Sequence, residues 1–332
     1  MKKGALIRKF QLLKYRERAD HVDLTEENVV AIGEKAFYRN KKIESVLLPA
    51  ELSTVKAQAF AHCKHLKEIT LPEARGIGIS TGVFQNCRRL KKIENAQMIT
   101  AIGNQAFKDC YFLEKTDFGP NLRRIGEHAF QNCCSLKELT LCASVETVGK
   151  RAFMGCTELE EVTLEEGFSA LSKGMLQDCI SLRRVDLPTS VTQIPASTYQ
   201  NCSAITSLTV PMNVKTIGSS AFRGCTRLEE CDIELGCTRI GALCFAEDPS
   251  LKAVHVPHSV KHLGFGAFGL KKREEKIIIH VDNEYMLRRM RRQVLLCGSF
   301  LAARVVMIGK TIEERKRERR RATVEQKATH LS

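Results

Sequence analysis

The stretch from Val145 to Leu164 reads VETVGKRAFMGCTELEEVTL, and its pattern decides the fold. Its aromatic, Phe153, belongs to a series: Phe37, Phe60, Phe84, Phe107, Phe130, Phe153, Phe222, Phe245 and Phe268, with Leu176 and Tyr199 in the gap. The interval is 23 residues, except for 24 between Phe60 and Phe84, which gives eleven units. Five residues before each aromatic position lies an apolar residue: Ile32, Val55, Ile79, Ile102, Ile125, Val148, Leu171, Ile194, Ile217, Ile240 and Leu263. Six after it stands Ile or Leu, from Ile43 and Leu66 to Leu228 and Leu251. Three after it, eight consecutive units carry Cys: Cys63, Cys87, Cys110, Cys133, Cys156, Cys179, Cys202 and Cys225.

The spacing within a unit assigns its parts. Leu66-Lys67-Glu68-Ile69-Thr70-Leu71 ends in alternation of period two, which reads as a short strand with one buried face. Pro49, Pro72, Pro188, Pro211 and Pro257 stop such strands, having no amide donor for a ladder. The next segment, Ile-Gly-x-x-Ala-Phe, takes Lys56, Ser80, Ser172 and Pro195 at its Gly position, so a left-handed backbone is not required there. Gly, Ser and Pro together suit a helix start. Each coil is therefore expected to hold one strand, a bend and a short helical turn that aims Ala and Phe inward. One unit cannot bury its own apolar side chains, whereas stacked copies can.

Eleven copies in register resemble the BspA-type leucine-rich repeat family over residues 22–281. The resemblance implies a right-handed, curved solenoid with a parallel sheet on one face and helical turns on the other. Many members are exported surface proteins that bind host or matrix proteins, so it also implies an adhesin as one alternative.

Composition narrows the function. The 332 residues carry 52 Lys and Arg against 38 Asp and Glu, but residues 21–270 hold 28 of each. The excess lies in residues 1–20 and 271–332, which excludes a uniformly basic surface. Residues 1–21 are expected to form a basic amphipathic cap helix with Leu6, Phe10, Leu13 and Tyr15 on its apolar side. Residues 22–281 form the repeat body. Residues 282–309 read as a second cap, with Asp282 capping a helix from Glu284 to Cys297, and 310–332 as a charged, basic tail. The apolar run Val294 to Gly309 spans about 24 Å as a helix, too short for a bilayer core of about 30 Å. It is expected to pack on the end of the fold. Lys2, Lys3, Arg8 and Lys9 leave no legible secretion signal, and fourteen Cys point to a reducing, cytoplasmic setting.

No catalytic motif is present: neither a phosphate loop nor G-x-S-x-G occurs. His258 and His262 are four apart but lie between a Pro and a Gly, not within a helix, so a metal role is not expected. Cys at equivalent inward positions reads as packing, and Met175-Leu176 and Tyr199 as tolerated core swaps. No cofactor, metal or small-molecule substrate is expected. What remains is the exposed face of the strands, with Glu68, Thr70, Glu94, Asp117, Glu138, Thr140, Glu161, Thr163, Arg184, Asp186, Thr209, Glu230 and Asp232 as the candidate partner-binding residues. The expected function is a non-enzymatic protein-interaction scaffold. The alternative is a contact of the basic ends with nucleic acid or another polyanionic surface.

Overall fold

In the computed structural model, which describes residues 5–16, 19–73, 76–269, 276–299 and 302–307, the chain is a parallel β-solenoid. The tail 310–332 lies outside the described residues. Each aromatic position marks one coil, from coil one at Phe37 to coil eleven at Phe268.

The coils carry two parallel sheets instead of one. The longer strands, such as Glu68–Thr70 and Glu161–Leu164, form the sheet read from the sequence. A second sheet is built from short strands around the apolar residue five before the aromatic, such as Thr54–Val55 and Thr147–Val148. Register repeats from coil to coil: Ser45 faces Glu68, Glu68 faces Lys92, and Ile125 faces Val148.

The expected helical turn is absent. From Gly33 to Asn40 the backbone runs as linked turns, with left-handed φ at Lys35 (54°) and Arg39 (56°). Every second amide closes a turn on its own coil, as Tyr38 N donates to Lys35 O and Asn40 N to Phe37 O. The alternate amides cross to the next coil: Lys35, Phe37 and Arg39 donate to the carbonyls of Ala57, Ala59 and Ala61. A helix would direct all these donors along its own axis, whereas linked turns leave half of them free to join neighbouring coils. The coils are therefore held by three backbone ribbons, two of strands and one of turns. At the Gly position of the turn the previous coil presses close. A Cβ on Gly149 would lie 2.2 Å from Glu127 N.

The core is one continuous column. Phe37, Phe60, Phe84, Phe107, Phe130, Phe153, Phe222, Phe245 and Phe268 are all buried. Rings of neighbouring coils stack with centroids 4.6–5.9 Å apart in two runs, Phe37 to Phe153 and Tyr199 to Phe268, with Leu176 between them. Each buried Phe contributes on the order of 1.5–3 kcal/mol, and offset stacking adds to that.

The N-terminal cap is a hairpin and not a helix. Strands Ala5–Arg8 and Gln11–Tyr15 pair antiparallel about Lys9 and Phe10, both at positive φ. That two-residue turn matches the twist of a hairpin. The strand Gln11–Tyr15 then joins the short sheet beside Ala31–Ile32, and Tyr15 stacks on Phe37 at 4.9 Å. Docking on the sheet satisfies Leu12 and Tyr15 with one strand face, while Phe10 and Leu6 stay exposed. At the other end a helix spans Glu284–Leu296, capped by Asn283, whose side chain accepts from Met286 N at 2.9 Å. Asn283, not Asp282, is the cap. The strand Ala303–Met307 follows and extends the long sheet beside Ile277–Val281. Among the described residues, no helix is long and apolar enough to cross a membrane.

Candidate partner-binding face

All thirteen candidate residues lie on the long-sheet side, and each is exposed or half-exposed. Two rows of side chains result, one on each side of the buried middle residue. Pairing brings Glu68 beside Lys92, Thr70 beside Glu94, Glu138 beside Glu161, Thr140 beside Thr163, and Thr209 beside Asp232. Asp117, Arg184 and Asp186 lie where the long sheet is interrupted, in coils four and seven. In coil four the middle apolar residue is replaced by the buried Thr116, whose carbonyl accepts from Phe118 N and folds the segment out of strand geometry.

The acids of the face are not equally available. Lys92 pairs with Glu94, and this bond holds the Glu94 carboxyl below the usual range. Arg184 pairs with Asp186 at 2.9 Å. Asp232 accepts from His255, whose other ring nitrogen contacts Asp282 at 3.1 Å. Burial pulls the His255 pKa down, but the two carboxylates outweigh it and leave it raised. Glu138 and Glu161 sit side by side with no ion pair among the described residues. The face is thus acidic chiefly in coils five and six.

Coil seven changes the surface beside them. Neither of its strand segments is hydrogen-bonded into a sheet, and only the turn ribbon runs through unbroken, Phe153 N donating to Met175 O and Leu176 N to Thr198 O. Between Glu161–Leu164 and Arg183–Asp186 the long sheet parts into a shallow cleft of about 310 Å³. Val162 and Leu164 are half-buried there, although their counterparts Leu139 and Leu141 are fully buried. The core exchanges residues at the same coil. Leu176 takes the place of a Phe, while Phe168 takes a place held by Val145 one coil earlier and Val191 one coil later. The total volume is roughly kept, as a packed interior demands.

The Cys column has a purpose beyond packing. Each thiol donates to the carbonyl of the aromatic position one coil earlier: Cys63 to Phe37 at 3.1 Å, Cys110 to Phe84 at 3.1 Å, and so on to Cys225 and Tyr199 at 3.4 Å. Burial pushes the Cys63 thiol up to about 12 and its neighbours in the same direction, so these groups stay protonated donors. His258 and His262 are not brought together. His258 sits 3.9 Å from Asp282, and His262 lies on the short sheet.

A model of the BspA type leucine rich repeat region (6 copies) matches residues 30–160 and 146–275. The chain belongs to the BspA-type leucine-rich repeat family. Among curated proteins none matches it. Several solved structures do. The pneumococcal vaccine antigen PcpA is 16% identical, with a TM-score of 0.55 over 90% of this chain and 83% of that one. A leucine-rich repeat protein from Bacteroides ovatus is 20% identical, with a TM-score of 0.45 over 93% and 97%. The likeness to PcpA shows a shared fold, and the family model makes that fold a leucine-rich repeat solenoid.

Proposed function

We propose that this BspA-type solenoid is a non-enzymatic scaffold that binds a protein through its long-sheet face, centred on coils five to seven. The observation that carries the reading is the cleft beside Glu161. Half-exposed Val162 and Leu164 lie there next to the uncompensated carboxylates of Glu138 and Glu161. The rim is mixed, but Arg183 is paired with Glu160 and Arg184 with Asp186. The apolar floor and Glu161, unpaired among the described residues, with Glu138 on the neighbouring coil, therefore suit a partner presenting an aliphatic side chain flanked by Lys or Arg. The fourteen thiols, free and mostly buried, fit a reducing compartment such as the cytoplasm.

The test combines charge reversal with site-specific crosslinking. A photo-crosslinker at Thr163 should capture the partner, and one at Ser219, on the turn ribbon, should not. Glu161→Lys, Asp186→Lys and Glu230→Lys together should abolish the Thr163 adduct while leaving the circular dichroism spectrum unchanged. An adduct that persists in the folded triple variant would remove this face from consideration.

A further inference from the structure

The electrical neutrality of residues 21–270 conceals a segregation that the coil register makes visible. In the turn that leads into each long strand, coils one to three place Lys41-Lys42, Lys64-His65 and Arg88-Arg89 at equivalent positions, all exposed. The segments 38–45, 61–68 and 85–92, which contain those turns, hold nine Lys and Arg against two Glu. The equivalent segment of coil six, 154–161, holds three Glu and no base. Lys67, Lys91 and Lys92 are paired with Glu44, Glu114 and Glu94. Arg39, Lys41, Lys42, Lys64, Arg88 and Arg89 make no ion pair among the described residues.

Aromatic rings are set among these cations. The Arg39 guanidinium lies 5.2 Å from the Tyr38 ring centre, and that of Arg88 lies 5.6 Å from Tyr111. Tyr38 meets His62 edge-on at 5.5 Å, and Phe112 is half exposed at the end of the row. Burial first, and then Arg39, Lys64 and Arg88, hold the His62 pKa below its ordinary value, with Asp109 opposing them.

We infer that the basic rim of coils one to three, with Tyr38, Tyr111 and Phe112, is a binding ridge for single-stranded nucleic acid. A row of cations stepping about 4.8 Å per coil tracks a phosphate backbone, and neighbouring rings supply stacking surfaces for bases. Those rings favour a nucleic acid over a sulfated glycan, which has charges but no flat aromatic bases to stack. The ridge is separate from the long-sheet face of coils five to seven and does not depend on the partner proposed for it.

The full chain should bind a fluorescein-labelled fifteen-nucleotide dT strand in anisotropy titrations, with affinity falling as salt rises. Replacing Lys41, Lys64, Arg88 and Arg89 together by Gln should weaken binding at least tenfold. The slope of log K against log salt should become shallower by about 0.7 for each phosphate contact removed. Phe112→Ala should weaken binding about fivefold or more with little change in that slope. Lys150→Gln with Arg151→Gln, exposed on the turn ribbon of coil six, should leave binding unchanged. The inference is overturned if the four-Gln variant binds the strand as the parent does. It is equally overturned if heparin binds through the same four residues while the dT strand does not bind.

Discussion

Replacing Cys110 separates two accounts of the thiol column. Its Sγ donates to Phe84 O at 3.1 Å, and the same carbonyl accepts from Cys87 N at 3.0 Å. Cys110→Ala removes a buried group about the size of a methylene, leaves a small cavity, and deletes one weak hydrogen bond. Transfer accounts for about 0.8 kcal/mol. The cavity and the lost bond bring the expected cost to about 2 kcal/mol. Cys110→Ser keeps a donor at nearly the same point and should cost about 1 kcal/mol, the hydroxyl being less apolar but still bonded. If the column were packing alone, the order would reverse, because a buried hydroxyl with no partner costs more than a methyl. Urea unfolding followed by far-UV circular dichroism gives the order from the midpoints, provided the slopes agree. A Ser variant less stable than the Ala variant would refute the donor role.

Leu176→Phe alone should overpack coil seven and cost about 1–3 kcal/mol, and adding Phe168→Leu should restore most of it. A double-mutant cycle with no coupling would show that the two positions do not share volume. The His255 imidazole has a raised pKa in the folded chain, so its stabilising contribution is complete below pH 6.5. It is lost as the pH climbs through the raised folded value. Thermal midpoints between pH 5.5 and 8.5 should therefore fall more steeply for the parent than for His255→Gln. Equal slopes would dismiss the Asp232–His255–Asp282 bridge as a source of pH dependence.

The repeat, the core and the long strands were legible because burial imposes residue type at fixed spacing, and a 23-residue period leaves no rival reading. The turn ribbon was misread because Gly, Ser and Pro suit a helix start and a chain of turns alike. A better signal stood two residues after the aromatic, where Asn86, Asp109, Asn132, Gly155, Asp178, Asn201 and Gly224 favour left-handed backbone, and all have positive φ. The short sheet was hidden because two-residue strands such as Thr147–Val148 are too brief for alternation to register. At the N-terminus, Leu6, Phe10 and Leu13 happen to fit a helical stripe. Nothing in that pattern reveals that an open sheet edge next to Ala31–Ile32 would take Gln11–Tyr15 as a strand. The exposed side of the long strands was legible from their alternation, but the ion pairs on it depend on side-chain geometry between neighbours. The cleft depends on a sheet interruption that no single residue announces.

Coil seven keeps only the turn ribbon of the three, whereas coil four, which lacks the long strand, keeps two. In a stack stabilised only through nearest neighbours, melting begins where adhesion between layers is poorest. Fraying should then set in at the middle of this molecule as readily as at its ends. Amides on the two flanking halves would exchange with solvent as two blocks rather than one.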